Sequence, residues 1–135
     1  MSVVIKSLTL VAPVLDTSNP AQNDYFNVLQ NANTFYTLYI TPTSPTIRSA
    51  IVKGIRLINT HATATVKVTL YFNRPNAFGQ NRRRLLTPLD MPLAPNYVYL
   101  DDSEVTLEPG DRLQAKTDTP NVVQYLISGL ERDAI

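Results

Sequence analysis

A strict alternation of apolar and polar side chains runs from residue 65 to residue 73. Neighbouring side chains of a β-strand point to opposite faces, so this period of two predicts a strand with one face in the core. The same period upstream, over residues 51 to 59, predicts a second strand with a bulge at Gly54. The short polar segment between the two strands predicts a hairpin connection. The residues predicted to face the core from the first of these strands are Val66, Val68, Leu70 and Phe72.

Shorter stretches of the same period are separated by turn residues. Glu108-Pro109-Gly110-Asp111 predicts a type II turn, because proline sets the first central φ and glycine supplies the positive φ that follows. The segment 24–30 is the candidate helix, too short to be stable alone. About eight short strands divided by turns predict an all-β chain folded as an antiparallel, jelly-roll-like β-sandwich. The further predicted strands cover residues 8–10, 36–41, 97–100, 105–107, 113–115 and 123–127, the last ending before Ser128.

Composition supports this subdivision. Ten prolines accompany only four glycines, and proline ends both helices and central strands. A length of 135 residues suits one domain. We therefore expect a single β-sandwich domain over residues 1–135, in which residues 1–35 form an N-terminal strand and loop region and a candidate docking arm. Without cysteine the sequence offers neither disulfides nor thiolate metal ligands.

The net charge and the lengths of the apolar stretches limit the kinds of partner that we expect. A formal net charge of +1 gives no general attraction to nucleic acid or to anionic lipid. The apolar stretches are far shorter than the ~20 residues of a membrane helix. We therefore expect neither a membrane nor a nucleic acid as a partner.

No pattern in the sequence is typical of a catalytic or cofactor site. The single histidine, His61, has no nucleophile or acid beside it, and we interpret it as a solvated loop residue. The acidic run from Asp101 to Glu104 lacks the spacing of a calcium loop, which favours a charged turn at a sheet edge over a cation site. We expect no catalytic residue, no metal and no cofactor, and hence a protein that is not an enzyme.

Four of the twelve basic residues fall within eleven positions, in a long polar connection where we expect the fold to make no use of them. Guanidinium groups held close together repel one another unless a carboxylate or phosphate lies between them. Contact with an acidic partner protein and a solvated loop rim both remain open, while nucleic acid is less favoured because only Phe78 is available there for stacking. We predict the partner contact. The four residues are Arg74, Arg82, Arg83 and Arg84.

Seven tyrosines and no tryptophan keep a second class of function open. Sugar rings stack on aromatic faces, so the alternative function is a carbohydrate-binding β-sandwich module. Most of the tyrosines fall in predicted strands, where an amphipathic ring at a core edge or subunit interface is the ordinary use.

Five short motifs follow one another through the predicted strands and turns. Their order resembles that of a loose family of small virion proteins from tailed bacteriophages. The turn at residues 42–45 and the arginine-rich connection depart from the family pattern. The motifs are Thr37-Leu38-Tyr39, the segment 52–60 ending in Asn59-Thr60, Val68-Thr69-Leu70-Tyr71, Leu107-Glu108-Pro109-Gly110-Asp111 and Ile127-Ser128-Gly129-Leu130-Glu131.

The resemblance implies a non-enzymatic structural protein of the virion, assembled in the host cytoplasm. Such a protein acts by protein–protein contact, either on the capsid as a decoration or cement protein or at the neck or tail. The implied partners are further copies of itself, with a trimer as the favoured homo-oligomer, and a capsid, neck or tail protein.

Overall fold

A computed structural model describes residues 3–7, 14–15 and 28–133, the first two ranges as backbone only. The described residues form eleven strands and no helix, and none of them belongs to a helix that could span a bilayer. The strands are β1 (Val3–Ser7), β2 (Val14–Leu15), β3 (Tyr36–Ile40), β4 (Arg48–Asn59), β5 (Val66–Asn73), β6 (Arg83–Leu85), β7 (Met91–Leu93), β8 (Val98–Asp101), β9 (Val105–Leu107), β10 (Arg112–Thr117) and β11 (Val123–Asp133).

The strands make two antiparallel sheets. Sheet A has the order β1-β11-β4-β8, with β9 also pairing with β4. Sheet B has the order β2-β3-β10-β5-β6, with β7 also pairing with β5. β6 and β7 lie along the same edge of sheet B, and β8 and β9 lie along the same edge of sheet A. When each of these pairs is counted once and the two-residue β2 is left out, each sheet has four strand positions, eight in all. β1 pairs with β11, the last strand, and successive strands mostly alternate between the two sheets, as in a jelly roll. The predicted jelly-roll-like β-sandwich is confirmed.

The predicted hairpin between residues 51–59 and 65–73 is wrong, because β4 and β5 belong to different sheets. Their connection crosses from sheet A to sheet B, and the buried side chain of Asn59 organises this corner. Its Nδ2 donates to the carbonyls of Ala64 at 2.8 Å and Leu93 at 3.0 Å, while its Oδ1 accepts from the His61 N–H at 2.9 Å. A connection of this length serves a hairpin or a corner between sheets, so length alone gave the wrong partner.

The inner faces of the two sheets form the core. β5 contributes Val66, Val68 and Leu70, as predicted, and each is almost fully buried. Phe72, which was predicted to face the core with them, is only partly buried at its margin. The opposite side of β5 is not a solvated face either, since Tyr71 is also buried. A second layer of side chains therefore covers the outside of sheet B.

The last strand runs well past its predicted end before Ser128. β11 continues to Asp133 because Ser128 and Gly129 lie opposite a bulge and not in a turn. Ser128 pairs with Gly54 and Gly129 with Val52, which leaves one extra residue in β4. The bulge predicted at Gly54 is confirmed. A Cβ on Gly54 would lie 3.3 Å from the Ser128 hydroxyl oxygen, so glycine permits the close approach of the two strands there.

A second bulge places two tyrosines on the same side of β3. The register shifts at Leu38, so that Tyr36 and Tyr39 both pair with inward-facing residues of β10. The simple alternation predicted for residues 36–41 is therefore interrupted. From this position the Tyr39 hydroxyl donates across the core to the buried Glu131 carboxylate on β11.

The contact between Tyr39 and Glu131 connects the two sheets through polar groups in the interior. Arg48 completes it, with Nη1 3.3 Å from Glu131 Oε1. Burial, and then the hydrogen bond to Glu131, raise the pKa of Tyr39 above its ordinary value, so its hydroxyl keeps the proton that it donates. Burial likewise raises the pKa of Tyr125.

The N-terminal predictions fall mainly outside the described residues. The predicted strand at residues 8–10 lies there entirely. Of the candidate helix 24–30 only residues 28–30 are described, and they are not helical, since Val28 forms an isolated bridge with Gln124. Within the region considered as a docking arm, β1 pairs with β11 and β2 with β3.

Replacing Tyr39→Phe removes the donation to Glu131 and keeps the ring. We expect the free energy of unfolding at pH 7 to fall by about 1.5–3 kcal/mol, the usual range for a hydrogen bond to a charged group. Urea denaturation measures this. Tyr97→Phe is the matched control, because the Tyr97 side chain is 63% exposed and its change should stay within about 0.5 kcal/mol. Equal losses in the two variants would contradict the role given to Tyr39.

The buried tyrosines also make stability depend on alkaline pH. In the unfolded chain tyrosine ionises near pH ~10, whereas the raised pKa of Tyr39 and of Tyr125 keeps both protonated in the fold. Their contribution is complete below about pH 10 and is lost as the pH rises above it, by up to about 1.4 kcal/mol per pH unit for each tyrosine. Unfolding measured from pH 8 to 11 should show this decline, with a shallower slope in Tyr39→Phe. Parallel slopes would overturn the assignment.

Candidate interaction surfaces

The arginine loop, residues 74 to 84, joins β5 to β6 and lies beside the turn before β10. Arg74 Nε and Nη2 donate to Asp111 Oδ1 and Oδ2 at 2.8 and 2.7 Å. The guanidinium carbon lies 5.3 Å from the centre of the Phe72 ring. The hydrogen bonds to Asp111 raise the pKa of Arg74. Arg74 is therefore bound within its own chain, by a bidentate contact of the strong kind.

Asp111 holds together three parts of this end of the sandwich. Besides binding Arg74, its Oδ2 accepts from the Glu108 N–H at 2.7 Å. Its own N–H donates to the Glu108 carbonyl at 2.9 Å, and Gly110 has a φ of 87°, as a type II turn requires. Its carbonyl accepts from the Thr41 N–H at 2.9 Å. The predicted turn is confirmed, and its aspartate is a structural residue.

Arg83 packs on the outer face of sheet B. Its guanidinium carbon lies 3.8 Å from the centre of the Phe35 ring, and its Nε donates to Gln114 Oε1 at 2.7 Å. Gln114 is fully buried and donates in turn to Thr37 Oγ1 at 2.9 Å. The Phe35 ring meets Tyr71 edge-on, with centroids 5.2 Å apart. This layer covers the side of β5 that the sequence pattern places opposite the core.

Arg82 and Arg84 differ in the contacts that they make within the chain. Arg82 closes the loop, since its Nε donates to the Arg74 carbonyl at 2.8 Å and its Nη2 to the Pro75 carbonyl at 3.3 Å. Arg84 is exposed and donates to the Arg83 carbonyl at 2.9 Å. The expectation that the fold makes no use of these arginines is wrong for Arg74, Arg82 and Arg83. Contact of the loop with an acidic partner stays a prediction.

A pocket of about 320 Å³ opens beside the Arg74–Asp111 pair. Arg112, the first residue of β10, lines it. The Nε of Arg112 is buried and has no hydrogen-bond partner within the described part of the chain. Two arginines and one aspartate, Arg74, Arg112 and Asp111, thus line this pocket.

Sheet A presents a second surface, which the sequence analysis did not single out. Leu126, Arg56 and Leu100 lie side by side across β11, β4 and β8 on its outer side. In the neighbouring row, Ile58 lies beside Val98. The exposed fractions are 44% for Leu126, 64% for Leu100 and 39% for Val98. We call these five residues the apolar face.

A groove of about 730 Å³ adjoins the apolar face. Gly54, Ser128 and Gly129 line it at the bulge of β4, where side chains are small or absent. Leu126 and Leu100 of the apolar face also line it. The bulge that lengthens β4 therefore also shapes this groove.

The charged residues around the groove are only partly paired. Lys53 forms an ion pair with Glu104. Asp101 accepts from the Ser103 N–H at 3.0 Å. Arg56 and Asp102 are both exposed, and neither has a hydrogen bond or ion pair with any described residue. One open cation and one open anion thus lie close together in the strand pairing, since Arg56 pairs with Leu100 and Asp102 follows two residues later.

The remaining candidates have structural contacts. His61 is half-buried, in a corner and not in the predicted hairpin, and its Nδ1 accepts from the N–H groups of Thr63 at 3.1 Å and Ala64 at 2.9 Å. No group of three or more His, Asp or Glu side chains that could hold a metal ion occurs in the described ranges. Four of the six described tyrosines are buried, namely Tyr36, Tyr39, Tyr71 and Tyr125.

Comparison with known proteins identifies a likeness of fold. No protein-family model matches the chain, and no curated protein matches it. Among solved structures, a chain of the T13 IBDV viral particle, described as a missing link in the evolution of icosahedral viruses, matches with a TM-score of 0.51 and 8% identity. The match covers 96% of this chain and 30% of the viral chain. At this identity the comparison shows a shared fold.

Proposed function

We propose that the protein is a non-enzymatic structural component of the virion of a tailed bacteriophage. It acts by protein–protein contact, on the capsid as a decoration or cement protein or at the neck or tail. Its partners are other copies of the same chain, with a trimer as the favoured state, and a capsid, neck or tail protein. The observation that carries the proposal is the jelly-roll fold shared with a chain of an icosahedral viral particle.

The use of the buried polar groups supports a role in contact. Asn59 organises a corner, Asp111 holds a turn, Gln114 lies under Arg83, and Glu131 connects the sheets. Each of these side chains is engaged in holding the fold together. Arg56 and Asp102, whose charges are left open, lie on the outside, where a partner can reach them.

The carbohydrate-binding alternative has less support from the tyrosines than their number in the sequence suggested. The tyrosines that would stack on sugars include four whose rings are buried. Tyr97 is 63% exposed, but it lies just before β8 and has no aromatic partner among the described residues. We therefore do not carry this function further.

Quantitative mass spectrometry of purified particles tests the proposed function. We expect the chain at a fixed copy number relative to the major capsid protein, unchanged through repeated density-gradient purification. The same measurement on the lysate provides the control for expression. A chain that is abundant in the lysate and absent from purified particles would contradict the proposal.

The arginine loop provides a test of the contact with the particle. Arg84 is the loop arginine that the fold uses least, so Arg84→Glu changes the surface charge with little effect on folding. We expect lower occupancy of particles, and an added loss at high salt in the parent protein, because exposed ion pairs are screened. Removal of all three consecutive arginines is the poorer test, since Arg83 packs on Phe35.

Lys67→Glu is the matched control for this experiment. Lys67 is exposed on the same sheet, at the end of β5 remote from the arginine loop. The control should fill particles as the parent does. Equal occupancy for the parent, Arg84→Glu and Lys67→Glu across a salt series would show that the loop is only a solvated rim.

A further inference from the structure

We propose that the apolar face of sheet A is the surface through which two copies of this chain bind each other, related by a twofold axis. This inference rests on the proposed function, since it names a surface for contact between copies; being twofold, the contact joins two chains and is not the one that would close a trimer. It can fail while the proposed role in the virion stands.

The two sheets treat their outer sides differently. On sheet B, Phe35, Arg83 and Tyr71 form a covering layer. On sheet A, Leu100 and Val98 remain 64% and 39% exposed as outward neighbours on β8, and Leu126, 44% exposed, lies across Arg56 from Leu100. A contiguous apolar patch of this kind, beside a groove, marks a contact surface. The apolar face is therefore the part of sheet A that lacks a covering within the described chain.

The two charges beside the apolar face select a second copy as the occupant. Arg56 lies between Leu126 and Leu100, and Asp102 follows Leu100 by two residues. Both are exposed and neither is paired with a described residue. In a twofold contact, a residue i that meets residue j of the partner is itself met by the partner's j. A face with one open cation and one open anion is thus complementary to itself.

Other kinds of partner are less complementary in charge to the apolar face. A purely acidic partner would match Arg56 and leave Asp102 repelled, and a basic partner would do the reverse. A lipid surface would bury both charges without pairing either of them with an opposite charge. In the self-contact, Arg56 of each copy binds Asp102 of the other, and Leu100 enters the groove beside the partner's Gly54.

Sedimentation equilibrium of the purified chain, from about 1 to 100 µM, tests the inference. We expect the parent to associate, and Leu126→Asp to raise the Kd for the contact by about tenfold or more, as for a central anchor of an interface. Leu89→Asp is the matched control, since Leu89 is 61% exposed and lies between β6 and β7 of sheet B. Association that Leu126→Asp leaves unchanged, or a parent that stays monomeric at 100 µM, would overturn the inference.

A charge exchange tests the twofold geometry itself. Arg56→Glu and Asp102→Arg should each weaken association by about tenfold, because each brings like charges together. The double variant restores both ion pairs with their signs reversed, and its Kd should return to within about threefold of the parent's. Circular dichroism establishes that all variants are folded. Absence of recovery in the double variant would overturn the proposed pairing, while particle occupancy of the same variants reports separately on the proposed function.

Discussion

The packing of the inner faces of sheets A and B against each other is the constraint on which the rest of the structure depends. Among the eight strand positions, all but one of the connections between successive strands cross from one sheet to the other. The chain must therefore turn repeatedly around the core, where an unsatisfied polar group is costly. Asn59 satisfies the backbone at one corner and Asp111 at another, and Tyr39 with Glu131 connects the sheets between them.

The outer faces follow from this packing and differ in consequence. A sheet whose inner face is fully used in the core keeps a second side that must be covered, charged or bound. Sheet B covers its outer side with the layer around Phe35 and Arg83. Sheet A leaves Leu100 and Leu126 exposed beside a groove. The two outer faces therefore differ in how much apolar surface they leave exposed.

Much of the fold could be predicted from local pattern. The period of two over β5 and the turn at Glu108-Pro109-Gly110-Asp111 are short-range signals, and both are confirmed. Sheet partners are set by contacts distant in sequence, which is why β5 was paired with β4 and not with β10. The bulges at Leu38 and Gly54 shift the period by one residue, and only Gly54 left a signal, since leucine does not mark a bulge.

The candidate surfaces were predictable to a lesser extent. The density of arginines identified the loop, but sequence could not show that Asp111 and Gln114 lie within reach of Arg74 and Arg83. The apolar face did leave a signal. Leu126 lies between the inward-facing Tyr125 and Ile127, so the alternation itself places it on the outer side of the sheet. An apolar residue on that side is a candidate for contact with a partner.

Imaging of the intact particle by electron cryo-microscopy tests the central claim most directly. A virion component should appear as jelly-roll density at symmetry-repeated positions on the capsid, neck or tail, in contact with other particle proteins. Complete particles in which no such position fits the chain would contradict it.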